Sequence, residues 1–213
     1  MNLQETIRKN NIIINKNDEL LTAEKKYKTS SVFVAQVVGN FIKSVLKAVK
    51  DLNVDSLLSV GCGEGVVLFH LSEELDGLSV AGIDCDADKL AKARNNVPQA
   101  NFKEASIYDL PYDDNSFNIV ICLEVLEHLK SPQKALEEVR RVSNKYSLFS
   151  VPNEPWWRMA NFIRGKNLKW FGDDPKHINH WTKRRFKNLI GNYYEVDYCK
   201  TVSFIWNMCL GLC

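Results

Sequence analysis

From Val54 onward the chain alternates strand-sized apolar runs with amphipathic stretches, and this rhythm restricts the fold more than any other feature. The runs are SLLSV (56–60), LSVAGID (78–84), NFKEA (101–105), FNIVICL (117–123) and YSLFSV (146–151). Most read as continuously apolar, as strands buried on both faces do. Helix-like stretches separate them. One follows the glycines at 61–65 and runs through about Leu75; the next, DADKLAKARNN, stops before Pro98. A third opens at Ser131-Pro132, with Ser131 as N-cap and Pro132 in the first turn. Apolar strands alternating with helices predict an α/β fold whose parallel sheet is covered on both sides. Ligands of such sheets lie at the carboxyl ends of the strands, so the chemistry is expected in the loops there.

The flanks are less regular. Residues 1–28 are polar and rich in Lys and Asn, and read as mobile or loosely helical. Ser30 or Ser31 would cap a helix to about Lys50, with Val34, Val37, Val38, Phe41, Ile42, Val45, Leu46 and Val49 on one face. An irregular stretch at 152–181 precedes the helix TKRRFKNLIGN, capped by Thr182, and two final strands near 194–202 and 205–212. A length of 213 residues suits one domain over 1–213, with 1–50 as an N-terminal helical cap and 152–181 as an insertion over the site. No run approaches the roughly 20 apolar residues of a membrane span, and the N-terminus lacks the apolar core of a signal peptide. A cytoplasmic protein is expected. The six cysteines form no CxxC pair and are read as reduced thiols, mostly buried.

Three sites carry chemistry. Ser59-Val60-Gly61-Cys62-Gly63-Glu64-Gly65 directly follows the first strand, where glycines allow a tight turn and close approach of a ligand to the backbone. Asp84 ends the second strand, 23 residues after Gly61, where a carboxylate can accept both ribose hydroxyls of an adenosine cofactor. These two fit a dinucleotide and S-adenosylmethionine equally. The third site separates them: Glu104-Ala105-Ser106-Ile107-Tyr108-Asp109-Leu110-Pro111-Tyr112-Asp113-Asp114-Asn115-Ser116-Phe117-Asn118-Ile119-Val120. It resembles the D-x-x-x-L-P-F-x-x-x-S-F-D-x-V stretch of class I S-adenosylmethionine-dependent methyltransferases of the type 11-like kind. The order of motifs from Leu57 to Val151 follows that family. A nicotinamide fingerprint would place its third glycine where Val66 stands.

The resemblance implies a Rossmann-like seven-stranded sheet with helices on both faces and the last strand inserted antiparallel. It implies S-adenosylmethionine as cofactor, with Gly61, Cys62 and Gly63 along its methionine part and Asp84 on the ribose. Cys85 would lie against the adenine, Ser106 and Ile107 at the adenine edge, and Leu123 near the sulfonium. Three positions depart from the pattern: Ser59, Ser106 and Asn118 stand where acids are usual. Each keeps a hydrogen-bonding group, but a neutral bond is about half as strong as one to a carboxylate.

After the fourth strand comes Glu124-Val125-Leu126-Glu127-His128. If helical, Glu124 and His128 share a face, and both are the expected catalytic residues. This E-x-x-E-H pattern resembles ubiquinone-pathway O-methyltransferases and the enzymes that methylate the terminal 2′-hydroxyl of small RNAs. In both, the motif goes with a divalent metal near the acceptor oxygen, whereas in non-metal relatives with a similar stretch Glu127 and His128 brace the fold or act as a base. His177 or His180, in the HINHW segment, would complete that set. The expected acceptor is a small molecule methylated on oxygen. Residues 158–187 hold 9 Lys and Arg against 2 Asp, whereas 51–150 hold 9 against 17 Asp and Glu, so the basic stretch reads either as a solvated surface or as a face toward an anionic acceptor such as a phosphate, nucleic acid or anionic lipid. The alternatives are an RNA terminus, or a catalytically silent fold that binds a partner.

Overall fold

The chain is described by a computed structural model, which covers residues 32–165 and 167–213. The strands are β1 (Ser56–Val60), β2 (Ser79–Asp84), β3 (Asn101–Glu104), β4 (Phe117–Leu123), β5 (Ser143–Pro152), β6 (Glu195–Val202) and β7 (Trp206–Leu212). The helices are α1 (Val32–Asp51), α2 (Val66–Glu74), α3 (Ala87–Asn96), α4 (Pro132–Val142), α5 (Trp156–Ile163) and α6 (Lys183–Gly191). One sheet runs β3-β2-β1-β4-β5-β7-β6. Strands β1 to β5 pair in parallel, and β7 lies antiparallel between β5 and β6. The strand order reverses at β1, beside β4, and this switch point sets the loops after Val60 and Leu123 side by side.

Alternate residues of the central strands feed two core layers. Leu57, Ile119 and Ile121 join Val45, Val49, Leu68, Leu71 and Leu90 beneath α1, α2 and α3. Leu58, Val60, Val120 and Cys122 join Leu136, Val139, Phe186 and Ile190 beneath α4 and α6. Each fully buried Leu, Ile or Phe contributes roughly 1.5–3 kcal/mol, so the sheet centre is the stiff base from which the site loops rise. Asp86 caps α3, its carboxylate accepting the Asp88 and Lys89 N–H groups at 3.1 and 3.2 Å, and the expected cap at Thr182 is present. Ser131 and Pro132 occupy the expected places at the start of α4, although the Ser131 hydroxyl makes no cap bond.

Three expectations need correction. The 152–181 insertion is not wholly irregular: it contains α5 and a 3-10 turn at Leu168–Trp170. Not all cysteines are reduced, because Cys199 and Cys209 stand directly opposite in the β6–β7 ladder, 4.1 Å apart at Cα, and form a disulfide. Spacing alone hid this pair, which only the hairpin register brings together. Finally, β5 begins at Ser143, three residues before the apolar run suggested. The expectations for residues 1–28 and for a cap at Ser30 or Ser31 lie outside the described residues. Among the described residues, no helix is long and apolar enough to cross a membrane.

Candidate active site

The turn after β1 depends on backbone conformations that favour glycine. Gly61, Gly63 and Gly65 have φ of 70°, 57° and 79°. A Cβ on Gly61 would come 2.4 Å from Val125 Cγ2, whereas one on Gly63 would meet nothing within 4 Å. The turn is therefore packed on one side and open on the other. Asp84 is buried and braces this turn: Oδ2 accepts the Gly63 N–H at 2.8 Å and Oδ1 accepts the Asp86 N–H at 3.0 Å. Each oxygen keeps a second lone pair. Burial, reinforced by the Asp84 charge, pushes the half-buried Cys62 thiol up to about 12. Cys62 is thus a neutral packing group at physiological pH and no nucleophile.

The other expected cofactor residues converge on the same edge. The Ala105 N–H donates to the Asp84 carbonyl at 3.3 Å, which sets the Ser106 loop beside the end of β2. Ser106 Oγ accepts the Tyr108 N–H at 3.2 Å, Ile107 is buried, and Cys85 is exposed. Leu123 is half-buried at the end of β4. A device the sequence did not reveal holds this loop. The Arg141 guanidinium donates to both Glu138 oxygens, to the Leu110 and Tyr112 carbonyls and to Asp114, all at 3.0 Å or less. The departure at Asn118 is explained by position: at the amino end of β4, away from the site, its Oδ1 accepts the Asp55 N–H at 3.0 Å. Ser59 is buried within β1.

Across the switch point, E-x-x-E-H adopts a different shape from the helix expected. Glu124 has φ of 57°, and only Leu126–His128 forms a 3-10 turn. Glu124 and His128 therefore do not share a helix face. The Glu124 carboxylate instead accepts from Ser150 Oγ at 2.8 Å and from Trp206 Nε1 at 2.9 Å. No local signal in the sequence ties Trp206, 82 residues away, to this turn.

His128 is exposed and oriented. Its Nδ1 lies 3.0 Å from the Lys176 carbonyl, which can only accept, so Nδ1 carries the proton and Nε2 of the neutral ring presents a lone pair. Glu127 is 1% exposed, with Oε2 unpartnered among the described residues and Oε1 3.9 Å from His128 Nε2. Burial, then the neighbouring Glu124 charge, pushes the Glu127 carboxyl well above the ordinary range. His177 packs edge-on against His128 at 5.0 Å, and burial lowers its pKa. One donor atom each from Glu127, His128 and His177 falls within 4.8 Å of the others. Of the two histidines considered for this cluster, His177 joins it and His180 does not.

The HINH segment is fixed to this turn through backbone. The Ile178 and Asn179 N–H groups donate to the Glu127 carbonyl at 2.9 and 3.1 Å, and Asn179 Nδ2 reaches the Leu129 carbonyl at 2.6 Å. The lid tryptophans divide between packing and exposure. Trp157 lies among His177 and Trp206, and Trp181 sits against Phe186. Trp156 and Trp170 are about half exposed, 49% and 58%.

A Rossmann-like sheet, a glycine turn braced by the acid that ends β2, and a second turn across the switch point make up the candidate site. Residues 58–150, a little under half of the chain, match the family described as a methyltransferase domain. An uncharacterized methyltransferase of Schizosaccharomyces pombe is 34% identical over 110 residues, 46% of this chain and 39% of that protein. The ubiquinone biosynthesis O-methyltransferase of Rickettsia bellii is 34% identical over 109 residues, 49% of this chain and 43% of its own length. The matches thus span about two fifths of these curated relatives. A Pyrococcus horikoshii protein of known crystal structure shares the fold, with a TM-score of 0.66, 18% identity, and coverage of 86% of this chain and 92% of that one.

Proposed function

We propose that the chain transfers the methyl group of S-adenosylmethionine to an oxygen of a small, anionic acceptor, with His128 as the base. The observation that carries this reading is the contact of Gly61 with Val125, which joins the glycine turn to the E-V-L-E-H segment. The open face at Gly63 and the two braced oxygens of Asp84 fit the cofactor: Gly61, Cys62 and Gly63 would line its methionine part and Asp84 its ribose. Ser106, Ile107 and Cys85 would border the adenine, with Leu123 toward the sulfonium. When bound, the cofactor supplies an electrophilic methyl on sulfur.

The chain's own part is orientation, removal of a proton and exclusion of water. His128 Nε2, its tautomer fixed by Lys176, would take the proton from the acceptor hydroxyl. Glu124 would act as a positioning residue, held by Ser150 and Trp206, and not as a second base. The lid over 152–181 would close the acceptor side. Arg158, Arg164 and Lys169, among exposed Trp156, Phe162, Ile163 and Phe171, suit an acceptor with both negative charge and apolar surface. In the test, His128→Ala spares binding of the demethylated cofactor product, measured by calorimetry, and lowers turnover by roughly 10²–10⁴, the range for a general base. Full turnover would remove His128 from the mechanism, and no cofactor binding by the folded wild type would favour a silent scaffold.

The Glu127, His128 and His177 cluster favours a second reading, methylation of an RNA terminal 2′-hydroxyl. Those three residues would hold a divalent cation, whose chemistry would be to lower the pKa of the acceptor hydroxyl. RNA binding that falls steeply with salt, together with metal-dependent turnover, would select it.

A further inference from the structure

Glu154, Asp173 and His180 form a second cluster that the methyl-transfer chemistry does not use. Glu154 is 8% exposed, and neither of its carboxylate oxygens has a hydrogen-bond partner among the described residues. A buried carboxylate without a partner is costly unless it is neutralised or paired with a cation. Burial pushes the Glu154 carboxyl up; His180, together with the charge and the backbone N–H of Arg158, opposes this and Asp173 adds to it.

The lid delivers the other two residues to Glu154 from both sides. Gly172, at φ of 81°, lies so close to α5 that a Cβ would come 2.0 Å from the Arg158 carbonyl oxygen, and its own carbonyl accepts from Asn161 Nδ2 at 3.1 Å. Asp173 follows directly in the chain. From the other side, the Glu154 N–H donates to the Trp181 carbonyl at 3.1 Å, which draws His180 in. His180 Nε2 lies 2.9 and 3.0 Å from the two Asp173 oxygens. One donor atom from each of Glu154, Asp173 and His180 falls within 4.8 Å of the others.

We propose that Glu154, Asp173 and His180 bind a divalent first-row transition metal, best Zn2+, that fastens the lid to the end of β5. Two carboxylates and one imidazole form a borderline nitrogen–oxygen set, and three protein ligands leave a position for water. The cation takes the place of the direct contact between His180 Nε2 and Asp173. Its two positive charges neutralise both carboxylates, including the orphaned one. The site is structural, separate from the Glu127 turn and independent of the acceptor.

The test uses the untagged chain with His128→Ala and His177→Ala, which removes the imidazoles of the neighbouring cluster, and titrates Co2+ by visible absorption and calorimetry. The expected result is one equivalent bound, a d–d band without a thiolate charge-transfer band, displacement by Zn2+, and protection of residues 156–172 from protease. Asp173→Asn and His180→Gln, both at partly exposed positions, should each weaken binding at least tenfold while circular dichroism is unchanged. Glu154→Gln should abolish binding yet melt no lower than the metal-free parent. Absence of binding, binding indifferent to Asp173→Asn and His180→Gln, or a thiolate signature from Cys85 or Cys213 would overturn the proposal.

Discussion

Asp84 braces the Gly63 and Asp86 amides with one carboxylate and, in the function proposed, would give its remaining lone pairs to a ribose. Asp84→Ala should therefore weaken binding of S-adenosylmethionine by about 1.5–3 kcal/mol, the scale of a bond to a charged group, as read by calorimetric titration. Unchanged affinity would remove it from the site. Glu127 gives a prediction of opposite character. Its carboxyl is raised in the folded state, so the native protein holds a proton that the unfolded chain has already released. Stability is fully present below the ordinary carboxylate range and is lost as pH rises through the raised value. Glu127→Gln should flatten that loss, seen in thermal melts across pH, and parallel curves for the two proteins would disprove it. The glycine turn and the place of Asp84 at the end of β2 were legible in the sequence because strand ends and local turns follow from local pattern. The role of Glu124 was not, because a left-handed backbone turns its carboxylate toward a residue on another strand.

At the scale of elements, periodicity was enough to locate β1, β2, β4, α3 and α6 to within a residue or two, since their burial follows a local pattern. The lid was harder. α5 packs through Gly172 and Asn161 more than through an apolar stripe, and Met159, Phe162 and Ile163 remain exposed. The clamp of Arg141 on the 110–114 loop was also out of sight, because it depends on α4 lying beside a distant turn. Removing it with Arg141→Ala should cost about 1–3 kcal/mol of stability, discounted for the partial exposure of the guanidinium. It should also loosen the Ser106–Ile107 edge and weaken cofactor binding. Arg141→Lys should rescue little, since an ammonium cannot reproduce the forked contact with Glu138. Denaturant melts of the three proteins check this, and full rescue by Lys would refute the geometric argument.

Across the whole molecule, the proposed cofactor side is assembled from β1 to β4, and the proposed acceptor side draws on β5, the lid and β7. The two meet at Gly61 and Val125. Trp206 ties distant parts of the chain, reaching from β7 to Glu124 while packing against Phe41 of α1 at 4.7 Å. Trp206→Phe keeps the ring packing and removes the N–H. It should lower turnover several-fold and leave cofactor affinity within twofold, and the reverse split in steady-state kinetics and titration would contradict that division.

The same bond bears on the order in which the polypeptide leaves the ribosome. The glycine turn, Asp84, the Ser106 loop and Val125 are synthesised about 80 residues or more before Trp206 appears, the separation of the Glu124–Trp206 pair being 82. A nascent chain halted in the lid would own a formed nucleotide cradle but an acceptor turn whose acid has lost one of its two anchors. Occupancy by the methyl donor can thus come before catalytic competence during biosynthesis, and early ligand binding would stabilise the emerging sheet by mass action while the reactive half is still being made.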